Sequence, residues 1–229
     1  MTCNHHSKES DNCIQWVPIF SNLSEEEMLE VAYITHEARF DKGSFVYMAN
    51  DPGGKLFVLH KGKVKISRIG QNGKEQVLRI VEPGEFMGEL NLFSSTMIMD
   101  NAEVLEPTVM CLIEAEPLKT LMAKYPSIAF KVMEVLSQRL NQAESLIENI
   151  NLYTVEQRVA HQLLHLSEGR ATIHLKMSKG DLASQMGMSQ ETLSRKLAAF
   201  QELGWIGLEG QRTIHIKNRT ALDNSLVSD

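Results

Sequence analysis

Apolar residues between positions 39 and 115 recur with a period of two, in short runs separated by turn-forming segments. The segments are Asp41-Lys42-Gly43, His60-Lys61-Gly62, Gln71-Asn72-Gly73 and Glu82-Pro83-Gly84. Alternation of this kind is typical of β-strands. The pattern predicts a compact all-β barrel or sandwich. Ahead of it, Ser24 and Glu27 have the spacing of a capping box and predict a short helix.

Beyond Pro126 the apolar spacing becomes that of a long helix with a heptad repeat. The repeat is carried by Ala129, Met133, Leu136, Leu140, Ala143, Ile147 and Ile150. Such a narrow apolar stripe either packs against the sheet of its own chain or forms a parallel two-stranded coiled coil with a second copy. The strict repeat over three heptads favours the coiled coil. We therefore expect a homodimer joined through residues 129–150.

The last third of the chain predicts two short helices joined by a glycine turn. Ser178 and Ser189 stand at capping positions, Gly187 supplies the turn, and Gly204 can end the second helix. The apolar side is formed by Leu182, Ala183, Met186, Met188, Leu193, Leu197 and Phe200. The segment 205–217 reads as a hairpin with Gly210 at its tip. This is the pattern of a helix-turn-helix followed by a wing.

The outward residues of the second helix suit the edges of DNA bases. Arg195 can form a bidentate pair with guanine, Glu191 can accept from cytosine, and Ser194 can meet a base or a phosphate. The alternative is a solvated ion pair on an ordinary helical hairpin, because Glu191 and Arg195 are also i and i+4. The wing, both caps and the turn glycine favour DNA. The predicted contacts are Ser178, Ser189, Gln190, Glu191, Thr192, Ser194, Arg195, Lys196 and Arg212.

Charge is divided unevenly along the 229 residues. The formal net charge is −6 from 23 Lys and Arg against 29 Asp and Glu. From Thr154 onward there are 9 basic and 8 acidic residues, which leaves 14 and 21 before it. The C-terminal part therefore has a net charge of +1 and is nearly neutral, whereas the part before it has a net charge of −7. A nearly neutral domain is compatible with a local DNA-binding face.

Other classes of protein find little support in the sequence. No apolar run is long enough for a membrane span or a signal peptide, so we expect a cytoplasmic protein. No catalytic triad, phosphate-binding loop or zincin spacing is present, and an enzyme is not expected. His161 and His165 are i and i+4 but lack the intervening glutamate of a zincin, which favours packing over metal binding.

Two segments resemble the CRP/FNR family of transcription regulators. They are "PGEFMGELNLF" at 83–93 and "MSQETLSRKLAAFQELGWI" at 188–206. The resemblance runs from Phe20 to about Asn218 and implies an α+β chain: a β-roll of the cyclic-nucleotide-binding jelly-roll type, a long dimerisation helix and a winged helix-turn-helix. It also implies a TTGA-like half-site in a palindrome of double-stranded DNA, and RNA polymerase as a partner.

These patterns together divide the chain into four parts. Residues 1–19 are an N-terminal arm with cysteines, and 20–125 are the β-roll sensor. Residues 126–153 are the dimerisation helix and hinge, and 154–229 are the winged helix-turn-helix domain.

The family's cyclic AMP site is matched only in part. Gly88 and Glu89 fall on the positions that hold the ribose, but Asp100 and Asn101 stand where the phosphate-binding Arg-Ser would be. An aspartate facing a cyclic phosphate would repel it. We expect no cyclic AMP response and a structural role for Glu89. Another ligand stays open, because Met97, Ile98 and Met99 would suit an apolar or aromatic one.

Three cysteines are the candidate signal receivers: Cys3, Cys13 and Cys111. The FNR type uses four cysteines for an iron–sulfur cluster, and three thiols cannot supply four ligands. The resemblance is nearer to the FNR-like (FLP) branch, which implies a reversible disulfide between Cys111 and either Cys3 or Cys13. Three other interpretations stay open: Cys111 as core filler, a zinc site that includes His5 or His6, and an iron–sulfur centre.

Overall fold

The computed structural model describes Phe20 and residues 23–94 and 96–226. The chain divides into two compact units, of which the first ends at Arg139 and the second begins at Leu140. The first unit holds α1 (Glu25–Tyr33), β1 (Thr35–Phe40), β2 (Phe45–Tyr47), β3 (Lys55–Ile69), β4 (Glu75–Val81), β5 (Phe86–Met87), β6 (Asn101–Glu114) and α2 (Ala115–Lys124). The helix α3 (Pro126–Leu152) spans the division. The second unit continues with α4 (Val155–Ser167), β7 (Thr172–His174), α5 (Lys179–Gln185), α6 (Gln190–Glu202), β8 (Ile206–Glu209), β9 (Thr213–Ile216) and α7 (Arg219–Ser225).

An antiparallel six-stranded sheet forms the first unit. Its order is β1-β6-β3-β4, with β2 on β6 and β5 on β3. Side chains along β3 alternate between two cores: Leu56 and Val58 pack with the helices, whereas Phe57 and Leu59 pack inside the roll. Because both faces of β3 are buried, its apolar run is continuous at this point.

The predicted turn at His60-Lys61-Gly62 is wrong, since β3 runs through it as a strand. The register against β6 shifts between Leu59 and Lys61 and again before Val64, as it does at a β-bulge. Gly62 has φ +97°, and a Cβ on it would lie 2.3 Å from the hydroxyl oxygen of Thr108. Glycine with positive φ serves a bulge as readily as a turn, so the residue type alone could not separate the two.

The N-terminal helix begins as its sequence predicts. Ser24 Oγ accepts from the backbone of Glu27 at 3.3 Å, and the backbone N–H of Ser24 donates to the Glu27 carboxylate at 2.7 Å. This is the reciprocal capping box. The helix α2, by contrast, was not predicted. Its Leu118 and Leu121 enter the same core as the helix-facing side of the sheet.

The long helix α3 packs on the sheet along one side and leaves most of the heptad positions uncovered along another. Ile128 and Val132 are fully buried in the first core. Met133, Leu140 and Ile147 are exposed large apolar side chains. Leu136 of the repeat packs partly against the first core, but Met133, Leu140 and Ile147 stay exposed, so packing on the sheet leaves most of the repeat available. The homodimer stays a prediction.

Helices and a small sheet share the core of the second unit. The sheet has the order β7-β9-β8, so the predicted hairpin of β8 and β9 is present, with a third strand that was not predicted. The apolar residues assigned to the inner side of the two short helices are all buried. The final helix α7 also adds its Leu222 to this core.

Candidate functional site

Backbone capping fixes the two helices of the helix-turn-helix. Ser178 accepts from the N–H of Asp181 at 3.0 Å and donates to its carboxylate at 2.6 Å. Ser189 accepts from the N–H of Thr192 at 3.1 Å. Between them Gly187 has φ +70°. Each cap satisfies a backbone donor that the first turn of a helix leaves without an acceptor.

Four of the predicted contacts form an exposed group at the start of α6: Gln190, Glu191, Ser194 and Arg195. Arg195 Nη2 lies 3.5 Å from Glu191 Oε1, a loose i,i+4 ion pair in water. Such a pair is weak, so both side chains remain available for other partners. The group can donate through Arg195 and accept through Glu191, as base edges require.

Other predicted contacts surround this group with different exposure. Ser178 and Ser189 are exposed at their caps, and Arg212 is exposed in the turn of the wing. Thr192 is half-buried, and its hydroxyl lies 2.8 Å from that of Ser189. Lys179 was not in the predicted set, although it opens α5 directly after Ser178. Because the first helix of this motif crosses the phosphate backbone, a basic residue at this place is a candidate phosphate contact.

Lys196, also a predicted DNA contact, is less exposed than its neighbours Ser194 and Arg195. Its side chain is half-buried, and its ammonium donates to Glu156 Oε2 at 2.8 Å. The contact joins α6 to the first turn of α4. A second link comes from Arg158 in α4, whose Nη1 donates to the carbonyl of Met186 at 2.9 Å. Both contacts hold the helix-turn-helix on α4, so Lys196 supports the exposed group from behind.

The Gly88-Glu89 motif is closed by arginines of its own chain. The Glu89 carboxylate is buried and forms ion pairs with Arg79 Nη2 at 3.4 Å and Arg139 Nη1 at 2.5 Å. Arg139 also donates to the Phe86 carbonyl at 2.8 Å and lies over the Phe86 ring. Burial lowers the pKa of Arg139, with the nearby Arg79 acting in the same direction. Glycine is required at 88, because a Cβ would lie 2.3 Å from the Lys55 carbonyl oxygen.

The residues at the phosphate-clamp positions are buried in the roll. Burial raises the pKa of Asp100, as does Glu89, while Arg68 and Arg79 oppose the shift. Asn101 accepts from the backbone of Ala49 at 2.9 Å. The segment suggested for an apolar ligand is split: Met97 and Met99 are exposed, and only Ile98 packs inside the roll.

Cys111 lies on β6 within the core shared by the sheet and its helices. Its Sγ is 2.8 Å from Nε2 of His60 on β3. Phe20 is buried in the same core. Cys3 and Cys13 lie outside the described residues, as do His5 and His6. Within the described ranges, no group of three or more His, Cys, Asp or Glu side chains is arranged to hold a metal.

Two family profiles match successive parts of the chain. The cyclic nucleotide-binding domain matches residues 37–125, and the Crp-like helix-turn-helix domain matches residues 157–225. None of the helices in the described ranges has the length and hydropathy of a membrane span.

Relatives carry both domains along most of their length. A CRP-like cAMP-activated global transcriptional regulator from Mycobacterium tuberculosis is 26% identical over 211 residues, which cover 89% of this chain and 94% of the relative. The probable transcriptional regulator flp from Lacticaseibacillus casei is 29% identical over 203 residues, covering 88% of this chain and 92% of the relative.

A solved structure supports the same architecture. FixK2 from Bradyrhizobium japonicum is similar with a TM-score of 0.72 and 24% identity, covering 86% of this chain and 99% of that structure. The fold and its exposed helix define a two-part regulator with a β-roll and a DNA-binding helix-turn-helix. The chain belongs to the CRP/FNR family of transcription regulators, as its sequence motifs predict, and its relatives are regulators and not enzymes.

Proposed function

We propose that the protein is a homodimeric regulator that reads a TTGA-like palindrome in double-stranded DNA. The exposed Glu191, Ser194 and Arg195 at the start of α6 carry the proposal. Arginine provides two donors for guanine, and a carboxylate accepts from the amino group of cytosine. The caps at Ser178 and Ser189 hold these side chains in a fixed register. By family resemblance, the bound dimer then engages RNA polymerase.

The dimer is argued from the uncovered apolar positions of α3. Met133, Leu140 and Ile147 recur every seven residues and are exposed in the single chain. Burying one leucine side chain stabilises an assembly by roughly 1.5–3 kcal/mol, and a two-fold helix pair buries each position twice. A palindromic site matches that symmetry, since each copy reads one half.

We propose further that DNA binding is controlled by a disulfide between Cys111 and Cys13. Phe20 is packed in the same core as Cys111, so the chain enters this core seven positions after Cys13. Seven residues span at most about 25 Å, whereas the seventeen from Cys3 span up to about 60 Å. The shorter tether gives Cys13 the higher effective concentration. In the chain-entropy model, a disulfide that closes a loop of about a hundred residues stabilises the folded chain relative to the unfolded one by about 4.7 kcal/mol.

A ligand in the roll is the second candidate for the signal. Within the described ranges, Glu89 Oε2 is a buried oxygen with no hydrogen-bond partner. Burying an unsatisfied carboxylate oxygen is costly, and a hydroxyl or amine of a small molecule would relieve the cost. Because Asp100 and Asn101 replace the phosphate clamp, we propose a ligand other than cyclic AMP. A zinc or iron–sulfur centre would need residues of the N-terminal arm.

A gel shift on a TTGA-containing palindrome, run with dithiothreitol and with a mild oxidant, tests the redox proposal. Affinity should differ between the two conditions for the wild type and for Cys3→Ser, and should become equal for Cys13→Ser and Cys111→Ser. Equal affinity in the wild type would remove the thiol switch and favour a ligand screen. If the redox response persists in Cys13→Ser and is lost in Cys3→Ser, the partner of Cys111 is Cys3 and not Cys13.

Sedimentation tests the dimer. Leu140→Glu should dissociate it, while Gln138→Glu adds the same charge at an exposed position off the repeat and should leave it intact. A wild-type chain that sediments as a monomer at the concentrations used for DNA binding would overturn the homodimer.

A further inference from the structure

His60 and Cys111 form a close imidazole–thiol pair inside the first unit. The 2.8 Å between Nε2 and Sγ is short for a contact to sulfur. The two residues are 51 positions apart and lie on neighbouring strands. Cys111 is only 5% exposed and His60 is half-buried. The contact is a hydrogen bond between the imidazole and the thiol, in which the histidine tautomer decides the donor.

The strand register places the pair and adds a carboxylate beside it. The β-bulge on β3 begins at His60, since Leu59 opposes Met110 and Lys61 opposes Val109. Bulges re-aim side chains and are common next to reactive sites. On the other side of β6, Glu37 of β1 stands directly opposite Cys111. The imidazole, the thiol and the carboxylate thus come from three adjacent strands.

The charges around His60 suit a proton acceptor. Burial lowers the pKa of His60, which keeps the imidazole neutral at pH 7, and Glu37 acts in the opposite direction. A neutral ring with its hydrogen on Nδ1 can accept the S–H proton at Nε2. Once the ring is protonated, the carboxylate of Glu37, which also pairs with Arg39 at 2.7 Å, favours the imidazolium by its charge. The thiolate, and not the thiol, is the nucleophile in disulfide exchange.

We propose that His60 is the proton acceptor that makes the buried Cys111 thiol reactive toward disulfides. The inference rests on the proposed thiol switch and names the residue that would make the buried cysteine usable. A proton acceptor beside the thiol also distinguishes Cys111 from a cysteine that only fills the core, because packing alone requires no base.

The exchange can be written with a small organic disulfide as the oxidant. The S–H proton of Cys111 passes to His60 Nε2, and the sulfur attacks one sulfur of the small disulfide. The S–S bond breaks, and the departing thiolate takes the proton from His60. Cys13, as its thiolate, then attacks the sulfur of Cys111, and the second small thiolate leaves and takes up the proton that Cys13 gave up. Two protein thiols are oxidised to one disulfide, and one small disulfide is reduced to two thiols.

The reactivity of Cys111 can be measured alone in the Cys3→Ser, Cys13→Ser chain with 4,4′-dithiodipyridine, a small uncharged disulfide. His60→Gln keeps a polar side chain of similar size and should slow the reaction at pH 7 about tenfold, because an unassisted thiol is only a few per cent ionised there. His36→Gln, at an exposed position on β1, is the matched control and should leave the rate unchanged. Added imidazole should restore part of the rate in His60→Ala, which a purely structural role would not allow.

A His60→Gln rate within twofold of the control, or a faster one, would overturn the inference, and circular dichroism would show that the variant is folded. A slow rate without imidazole rescue of His60→Ala would also count against it. This outcome is independent of the redox gel shift. If DNA binding responds to oxidation but His60→Gln reacts normally, only the role of His60 is lost. If the reactivity of Cys111 depends on His60 but oxidation does not change DNA binding, only the proposed thiol control of DNA binding fails.

Discussion

Among the glutamate–arginine pairs of the described residues, Glu89–Arg139 and Glu191–Arg195 have the same chemistry in opposite surroundings. In the roll, the side chains of Glu89 and Arg139 are 5% and 19% exposed, and their charged atoms are 2.5 Å apart. On α6, the side chains of Glu191 and Arg195 are 78% and 72% exposed, and the atoms are 3.5 Å apart. A buried carboxylate has to be neutralised, whereas an exposed one is solvated by water. Burial therefore makes the first pair part of the fold and leaves the second able to change partners.

This difference also limits the partners that Glu89 can take, because two arginines hold Oε1 and only Oε2 is left for a hydroxyl or amine of a ligand. Arg79 and Arg139 already neutralise the glutamate that the family uses for the ribose. Helix α6 shows the reverse arrangement, because the side chains of Glu191 and Arg195 are both largely exposed to solvent. Stability experiments should respond to the first pair, and DNA-binding experiments to the second.

The largest expected effect comes from Glu89→Gln. The change leaves Arg79 and Arg139 close together without their shared carboxylate, and breaking a buried pair in this way costs about 3–5 kcal/mol. Urea unfolding followed by circular dichroism measures the loss. Glu191→Gln is the same substitution at the exposed pair and should change the free energy of unfolding by less than about 0.5 kcal/mol. Equal effects at the two positions would contradict the comparison.

Arg195→Ala should give the next largest effect, on DNA binding and not on folding. Loss of a bidentate contact to guanine weakens binding to the specific palindrome by about 1–3 kcal/mol. Fluorescence anisotropy on the palindrome and on a scrambled duplex measures it, with sedimentation to show that the oligomeric state is unchanged. An equal loss on both duplexes would mean that Arg195 contacts only the phosphate backbone.

Lys196→Met sharpens the comparison with a pair of intermediate burial. Its ion pair with Glu156 is about one-third to two-fifths exposed, so its removal should cost no more than about 1 kcal/mol of stability. Specific and scrambled DNA should be affected alike, because the ammonium faces α4. A selective loss on the specific palindrome would return Lys196 to the group that reads bases.

Asp100→Asn should give the smallest effect, and its sign depends on pH. Burial raises the pKa of Asp100 in the folded chain, so ionising this carboxyl favours the unfolded chain as pH rises. Relative to the wild type, the variant should therefore gain stability as pH increases from about 4 toward neutrality. Unfolding midpoints at several pH values between these limits test it. A gain that grows toward acid would show that Arg68 and Arg79 outweigh burial.

Local features were predictable from the sequence because their causes lie within a few residues. The caps at Ser24, Ser178 and Ser189 depend on neighbours three positions away, and the apolar side of the two short helices follows from helical periodicity. The order of roll, long helix and winged helix-turn-helix could also be predicted. The elements α2, β7 and α7 are short, and their sequences carry weak signals.

Features that depend on distant residues were missed. His60 meets Cys111 across 51 positions, and Arg139 reaches the carbonyl of Phe86 across 53. No spacing rule connects residues so far apart, because the sheet register and helix packing bring them together. Arg79 could have been noticed in the sequence, because it is a charged residue inside the apolar run "VLRIV". Helical periodicity predicts the direction of the Lys196 side chain only approximately. Its ion-pair partner, Glu156, comes from α4, which lies about forty positions earlier in the chain.

The bulge at Gly62 sets a limit on how far the sensor can diverge. A methyl group there would collide with Thr108 and with the Pro107 carbonyl, and the positive φ would strain any other residue. A saturation library at this position should return almost only glycine. Laboratory evolution of new signal specificity on this scaffold would therefore keep Gly62 constant and draw its diversity from exposed positions between β5 and β6, such as Leu90, Met97 and Met99.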